Sequence, residues 1–321
     1  MDSGISVIIC CYNSASRLPQ TIAHLAKQSI NSDIKWEIII VDNASTDDSA
    51  GVAAKEWKKY DTCIPFTIHT ENRPGLNFAR QKGISVSKYS YLLFCDDDNW
   101  LNEDYLARGY NILAADAKIG ALGGIGIPVF EGTKPEWFDK FQLYYAVGRQ
   151  SELQGDVSRS KSWIYGAGMM INREAIKNLD KHRFLTTDRK GKSLSSGGDM
   201  ELCFFILTQD FSIWYDEELI FKHFIEIGRL EMNYLKRMMM AGAKAAYLLD
   251  GLRFIAQGAV KPVRIKRNWI VRFVIDNIKV YKVFRSNELP LHFQLKLHFV
   301  RISRILKLNF DYDRSFKLYK W

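Results

Sequence analysis

Four short apolar runs, rich in β-branched residues, occupy the first hundred positions, and each stops at a polar cluster. Ile5 to Cys11 stops at the turn Tyr12-Asn13-Ser14, and Trp36 to Val41 at Asp42-Asn43-Ala44-Ser45-Thr46-Asp47. Phe66 to His69 ends at Glu71-Asn72-Arg73-Pro74-Gly75, and Tyr91 to Cys95 at Asp96-Asp97-Asp98. Between them, about Arg17 to Lys27, Asp48 to Lys59 and on through Phe78 to Ser85 read as helices. Strands that are apolar throughout, alternating with helices, predict a parallel sheet covered on both faces. Such sheets bind ligands in the crevice at the carboxyl ends of their strands. Each polar cluster therefore stands where a site belongs.

The second half is patterned differently. Gly120 to Phe130 reads as a Gly-rich strand, and Ser162 to Asn172 as another, with Arg173-Glu174-Ala175 opening a helix. Thr186 to Gly198 is polar and Gly/Ser-rich, the composition of a mobile loop. Asp199 to Thr208 reads as a helix, Ile213 to Asp216 and Leu219 to His223 as short strands, and helical periodicity dominates from Asn233 onward.

Charge changes the picture at one end. The 321 residues carry a formal net charge of +9. Residues 261–321 hold 15 Lys/Arg and 4 Asp/Glu, a net of +11, so the rest is close to −2 (9 − 11). A basic tail fits an anionic partner, either a membrane surface or a phosphate-bearing acceptor. Within it, Ile270, Phe273, Val274, Ile278, Tyr281 and Phe284 share one helical face. That face suits peripheral membrane contact, or packing on the main body instead. Aromatic and basic residues interleave without an RNA-binding signature, so nucleic acid is not an expected partner. The cysteines (Cys10, Cys11, Cys63, Cys95, Cys203) are odd in number, and none forms a C-x-x-C pair. They read as free thiols of a reducing compartment. No secretory pattern precedes Ser6 and no run of 18 apolar residues occurs, so the expected location is the cytoplasm, with contact to the inner face of the membrane.

Four constellations carry chemistry. Asp96-Asp97-Asp98 places three carboxylates at the end of a buried strand, where they repel one another unless a cation is present. Mg²⁺ or Mn²⁺ takes oxygen ligands from one or two carboxylates plus substrate phosphates. Alternatively the run is a solvated turn capping the next helix. Asp42 can accept a hydrogen bond from a base N–H or a ribose hydroxyl, while Ser45 or Thr46 could cap the following helix. Asp199, after Gly197-Gly198, could act as general base on an acceptor hydroxyl, or cap its helix. His223 follows an apolar stretch and could ligate a metal.

In this order, these pieces resemble the family 2 glycosyltransferases of GT-A fold, over about Ile5 to Gly242, roughly three quarters of the chain. The resemblance also rests on Asn72-Arg73-Pro74-Gly75-Leu76-Asn77-Phe78-Ala79-Arg80-Gln81-Lys82-Gly83, on Gly166-Ala167-Gly168-Met169-Met170-Ile171-Asn172-Arg173-Glu174-Ala175 and on Gly198-Asp199-Met200-Glu201-Leu202. It implies an α/β, Rossmann-like, mostly parallel sheet flanked by helices, spanning residues 1–245. A basic helical C-terminal extension would follow over 246–321. It implies that Cys11, Tyr12 and Asn13 line a nucleotide pocket, with Asp42 on the base, usually uracil, and Arg80 near the donor diphosphate. Asp98 would be the direct ligand of Mn²⁺ or Mg²⁺, with Asp96 on the ribose side, Asp97 beside the donor and His223 completing the metal shell. Asp199 would be the general base, and Gly166 and Gly168 would let backbone approach the sugar. Two positions depart from the family pattern: Cys11 stands where Pro is common, and Gly198 where an acidic residue is common. Glu201 is the rival base, but on a helix it points about 200° from Asp199.

The expected activity is inverting transfer from a nucleoside-diphosphate sugar, of UDP type, to a glycan or lipid-linked acceptor in surface polysaccharide synthesis. A non-catalytic nucleotide-sugar or glycan-binding module is the alternative from another class. A sugar nucleotidyltransferase would want a Gly-rich loop after the first strand, and Tyr12 to Arg17 contains no glycine.

Overall fold

The computed structural model describes residues 2–186, 188, 189 and 194–258. The basic tail from residue 261 lies outside the described residues, as do Thr187 and residues 190–193 of the polar loop. The elements run β1 (Asp2–Cys11), α1 (Leu18–Ala26), β2 (Trp36–Asp42), α2 (Ser49–Trp57), β3 (Phe66–Thr70), α3 (Leu76–Val86), β4 (Tyr89–Asp96), β5 (Asn99–Leu101), α4 (Tyr105–Ala115), β6 (Ile119–Phe130), α5 (Phe138–Phe141), β7 (Gly155–Asp156), β8 (Met169–Asn172), α6 (Gly198–Thr208), β9 (Ser212–Ile225) and α7 (Met232–Ala256).

All described strands join one sheet in the order β3-β2-β1-β4-β8-β6-β9-β5, with β7 also on β9. The four predicted apolar strands form its parallel half. β8 enters antiparallel to β4 and β6, and β6 and β9 are parallel to each other. The α/β expectation thus holds, with an antiparallel strand at the centre of the sheet.

The apolar runs are two-sided because the sheet has a core on each face. Ile5, Val7 and Ile9 enter one core with Ile38, Ile40, Leu93 and Cys95; Ile8, Ile39, Val41, Leu92 and Phe94 enter the other. This is the period-two alternation of a strand with no solvent face. Leu18, Ile22 and Leu25 of α1 and Leu106 and Leu113 of α4 cover the first core. Ala79 of α3 and Leu202, Phe205 and Ile206 of α6 cover the second. α7 is held by Leu235, buried with Phe138 and Tyr145, and by Leu249 and Leu252, buried against Phe204. Each such leucine contributes about 1.5–3 kcal/mol.

Three elements differ from the sequence expectation. The Ser162–Asn172 run is strand only over Met169–Asn172, because Gly168 turns the chain at φ +71° and its carbonyl accepts a 2.6 Å hydrogen bond from the Tyr105 hydroxyl. Arg173–Ile176 is one 3₁₀ turn, capped when the Asn172 side chain accepts from the Glu174 N–H. The two short strands around Asp216 are one strand, β9, whose pairing with β6 slips between Gly123 and Ile125. α4 is the helix that follows the Asp96–Asp98 run, and β5, α5 and β7 are additional elements that the sequence pattern did not announce.

Candidate active site

The register of the parallel strands gathers the polar clusters. Cys11 pairs with Asp42 across β1 and β2, and Cys10 with Asp96 across β1 and β4. The chain leaves β1 toward β2 and β3, then returns to place β4 on the other side. That reversal opens a crevice at the carboxyl ends. A cavity of about 810 Å³ lies there. Cys11, Tyr12, Arg80, Asp96, Asp97, Asp98, Asp199 and His223 all line it.

Asn13 and Asp42 do not line the cavity; they shape the turn beside it. Asn13, at φ +50°, accepts through its side chain from the Thr46 N–H at 2.7 Å, and Asp42 Oδ1 accepts from the Ser45 N–H at 3.2 Å. Neither Ser45 nor Thr46 caps α2; Asp48 does, accepting from the Gly51 N–H. Asn43 carries a latch that the sequence reading did not single out. Its amide donates to the carbonyls of Glu71 and Arg73 and accepts from the Gly75 N–H, so β2 and the start of α3 are tied together.

Asp98 is buried at 6% exposure, so the run is no solvated turn. Its Oδ2 accepts from Arg229 Nη1 at 2.8 Å and lies 3.3 Å from His223 Nε2. Burial alone would raise its carboxyl, but His223 and then Arg229 outweigh it and hold the group well below the usual carboxylate range. Asp96 behaves oppositely: burial first, then the Asp98 charge, push it up to about 6. Asp97 is raised by the same two causes. Its carboxylate accepts from Ser14 Oγ and from Arg17 Nη2 at 2.9 Å, so this middle acid anchors α1.

His223 Nδ1 lies 2.7 Å from the Tyr145 carbonyl oxygen, which can only accept. Nδ1 therefore carries the ring proton and Nε2 faces Asp98, the arrangement that orients a metal-binding imidazole. With Nδ1 donating to that carbonyl, Nε2 meets the Asp98 carboxylate in one of two ways: as the N–H of an imidazolium, the charge that lowers Asp98, or through a lone pair that shares a bound cation with it. No group of three acidic, His or Cys side chains suited to a metal occurs among the described residues. One carboxylate and one imidazole nevertheless match an ion that takes its remaining ligands from substrate phosphate and water.

Asp199 lies in the first turn of α6, but it does not cap the helix; Gly197, at φ +113°, occupies that position. Its Oδ1 accepts from Arg80 Nη2 at 2.9 Å and its Oδ2 from the Gly166 N–H at 2.8 Å. Arg80 Nη1 binds Asp188 at 3.2 Å, and the guanidinium lies 5.2 Å from the Phe94 ring centre. Burial works against the Arg80 charge, and Asp199, Asp188 and Asp96 overcome it. Glu201 is fully buried and takes hydrogen bonds from His182, Leu185 and Thr186, so it pins the segment before the polar loop and does not face the cavity. Gly166 is required by close approach: a Cβ there would collide with the Asp199 carboxylate and sit 2.7 Å from Arg80 Nη2. Gly166→Ala should therefore displace Asp199. We expect turnover to fall by about tenfold or more, as misplacement of a reacting group does, with UDP affinity kept; unaltered turnover would show that Asp199 needs no such anchor.

Sequence reasoning missed Asp188 and Arg229. Both stand among other charges, Asp188 before Arg189-Lys190 and Arg229 between Glu226 and Glu231, with no pattern that sets them apart. Only the burial of Arg80 and Asp98, each needing a counter-charge, calls for them.

Known proteins share the family and the fold of this chain. The family model for glycosyl transferase family 2 matches residues 6–180. A poly(ribitol-phosphate) β-glucosyltransferase of Bacillus spizizenii is 32% identical over 140 residues, 41% of this chain and 22% of that protein. A cholesterol galactosyltransferase of Borreliella burgdorferi is 34% identical over 113 residues, 35% of this chain and 30% of its own. The matched stretch thus spans less than a third of each of these two relatives. Among solved structures, a mannosyltransferase of Pyrobaculum calidifontis in complex with GDP-Man and Mn²⁺ superposes with TM-score 0.54 at 15% identity, covering 97% of this chain and 88% of that one. Staphylococcus aureus TarS 1–349 with UDP-GlcNAc gives 0.52 at 15% identity, covering 99% and 76%. The chain belongs to glycosyl transferase family 2, and its fold is the GT-A fold.

Proposed function

We propose that this chain is an inverting, metal-dependent glycosyltransferase that moves a sugar from a nucleoside-diphosphate donor, of UDP type, to a glycan or lipid-linked acceptor in surface polysaccharide synthesis. One observation carries the reading: Asp98 and Asp199 open on the same cavity, and Asp96, which also lines it, feels the charge of both. Relatives named as poly(ribitol-phosphate) glucosyl- and N-acetylglucosaminyltransferases support a polymeric glycan-type product.

Asp98 and His223 would hold Mn²⁺ or Mg²⁺. When bound, the ion would neutralise charge on the departing diphosphate. Cys11 and Tyr12 border the nucleotide, Asp42 and Asn13 fix the turn at its base, and Asp96 faces the ribose. Arg80 and the Gly166 N–H aim the Asp199 carboxylate, which keeps lone pairs free to accept a proton from the acceptor hydroxyl. That oxygen attacks the anomeric carbon from the face opposite the diphosphate, so one displacement inverts the centre. A binding module would need no such base. The basic tail would add peripheral contact with an anionic membrane, and the chain would then act at the inner face of that membrane.

Thermal unfolding tests the donor and metal together. With Mn²⁺, UDP at a hundred times its dissociation constant should add about 2.7 kcal/mol of stability. EDTA should remove most of that gain. Equal stabilisation with and without chelator would refute the metal assignment, and no stabilisation by any nucleotide would refute the donor.

A further inference from the structure

We propose that Lys161 forms an anion subsite at the acceptor end of the cavity, which receives a phosphate group carried by the acceptor. The buried or half-buried cations along the cavity otherwise hold carboxylates: Arg17 holds Asp97, Arg80 holds Asp188 and Asp199, and Arg229 holds Asp98. Lys161 also lines the cavity, and no carboxylate among the described residues pairs with it. Its ammonium donates to the Gln150 carbonyl at 2.7 Å and reaches Gln150 Oε1 at 3.5 Å. It stands 4.5 Å from the Trp163 ring centre and 4.9 Å from that of Tyr165.

This seat is built in advance. The Gln150 amide donates to the Gly124 carbonyl at 2.6 Å and accepts from the Tyr165 N–H at 2.9 Å, so it cannot swing away. Trp163 and Tyr165 meet edge to face with ring centres 5.5 Å apart. An ammonium has three donors, and Gln150 takes one well. Burial lowers Lys161 to about 8, and no neighbouring carboxylate restores it. An anion docking here would supply the missing counter-charge in a poorly hydrated place, where charge pairing is strong.

The subsite belongs to the acceptor end. Lys161 faces the Tyr165 ring at 4.9 Å, and the next residue, Gly166, donates its N–H to Asp199 Oδ2 at 2.8 Å, so one short segment joins the ammonium to the base. Lys161 does not figure among the leading charges acting on Asp96, Asp97 or Asp98, where a donor diphosphate would sit. Apolar side chains also line this cavity, among them Met200, next to the base in sequence, and Met239, Ala243 and Ala246 of α7. The assignment of this end rests on Asp199 being the base.

The test holds the full chain saturated with UDP and Mg²⁺, so that the donor phosphate site is filled. Three probes are titrated by calorimetry: sn-glycerol 3-phosphate, a glycerol-phosphate oligomer and a detergent-dispersed polyprenyl phosphate. Binding of at least one is expected. Lys161→Met should weaken it tenfold or more, and Lys161→Arg should retain most of it; UDP affinity should stay unchanged in both variants. A preference for the oligomer marks a phosphodiester polymer, and a preference for the prenyl ester marks a lipid phosphate. Should the wild type bind none of the probes, or should Lys161→Met bind them as well as the wild type, the subsite is refuted. The same holds if Lys161→Arg loses binding as fully as Lys161→Met while both fold normally. Failure to bind UDP at all would instead refute the functional reading on which the subsite rests.

Discussion

Replacing Asp199 with Asn should leave UDP binding intact and lower sugar transfer by about 10²–10⁴-fold, the range for removing a general base. In free energy that is roughly 3–5 kcal/mol of barrier. Asn keeps the size of the side chain, and its carbonyl oxygen can still accept from the Gly166 N–H, as Asp199 Oδ2 does at 2.8 Å. It cannot take up a proton. Arg80 keeps Asp188 as a counter-charge at 3.2 Å, so the substitution does not strand a buried guanidinium. The informative comparison is therefore kcat against UDP affinity in one preparation. Transfer at the wild-type rate would rule Asp199 out as base. Loss of UDP affinity in parallel with turnover would mean that the carboxylate holds the donor site together and performs no proton transfer.

The parallel half of the fold was legible because its signal is local and redundant. Ile8, Ile39 and Leu92 are apolar for the same reason as Val7, Ile38 and Leu93: each strand has a core on both faces. The polar residues that end each run then had to lie at one edge of the sheet, and five of them, Tyr12, Asn43, Asp96, Asp97 and Asp98, line the cavity together with Cys11, the last residue of its run. The second half was less legible because its geometry is set by contacts distant in sequence. The Ser162–Asn172 run has strand-like composition, yet Gly168 bends to meet Tyr105, 63 residues away. Asp188 and Arg229 carry no local pattern, and they matter only because Arg80 and Asp98 arrive beside them from positions 108 and 131 residues distant. Asp97 shows the reverse failure. The triplet looks uniform in sequence, but alternation along the chain turns its middle carboxylate toward Arg17 and Ser14.

Asp98→Asn should reduce both stability and metal response, and a double variant separates the two effects. Arg229 is buried, its Nη1 donates to Asp98, and its Nε has no partner among the described residues. Burial disfavours its charge, and Asp98 is the first group that restores it. Breaking a buried pair from one side costs about 3–5 kcal/mol, because the remaining charge loses its counter-ion. The expected loss for Asp98→Asn is near the lower figure, since Glu226 still contributes and the Tyr234 ring lies 5.8 Å from the guanidinium. Adding Arg229→Met removes the stranded charge, so urea unfolding should recover much of that loss. Mn²⁺-dependent stabilisation by UDP should not recover, because the proposed ligand is still missing. Should the double variant regain the Mn²⁺ response along with its stability, Asp98 would be a structural partner of Arg229, and the cation would have to be held elsewhere in the cavity.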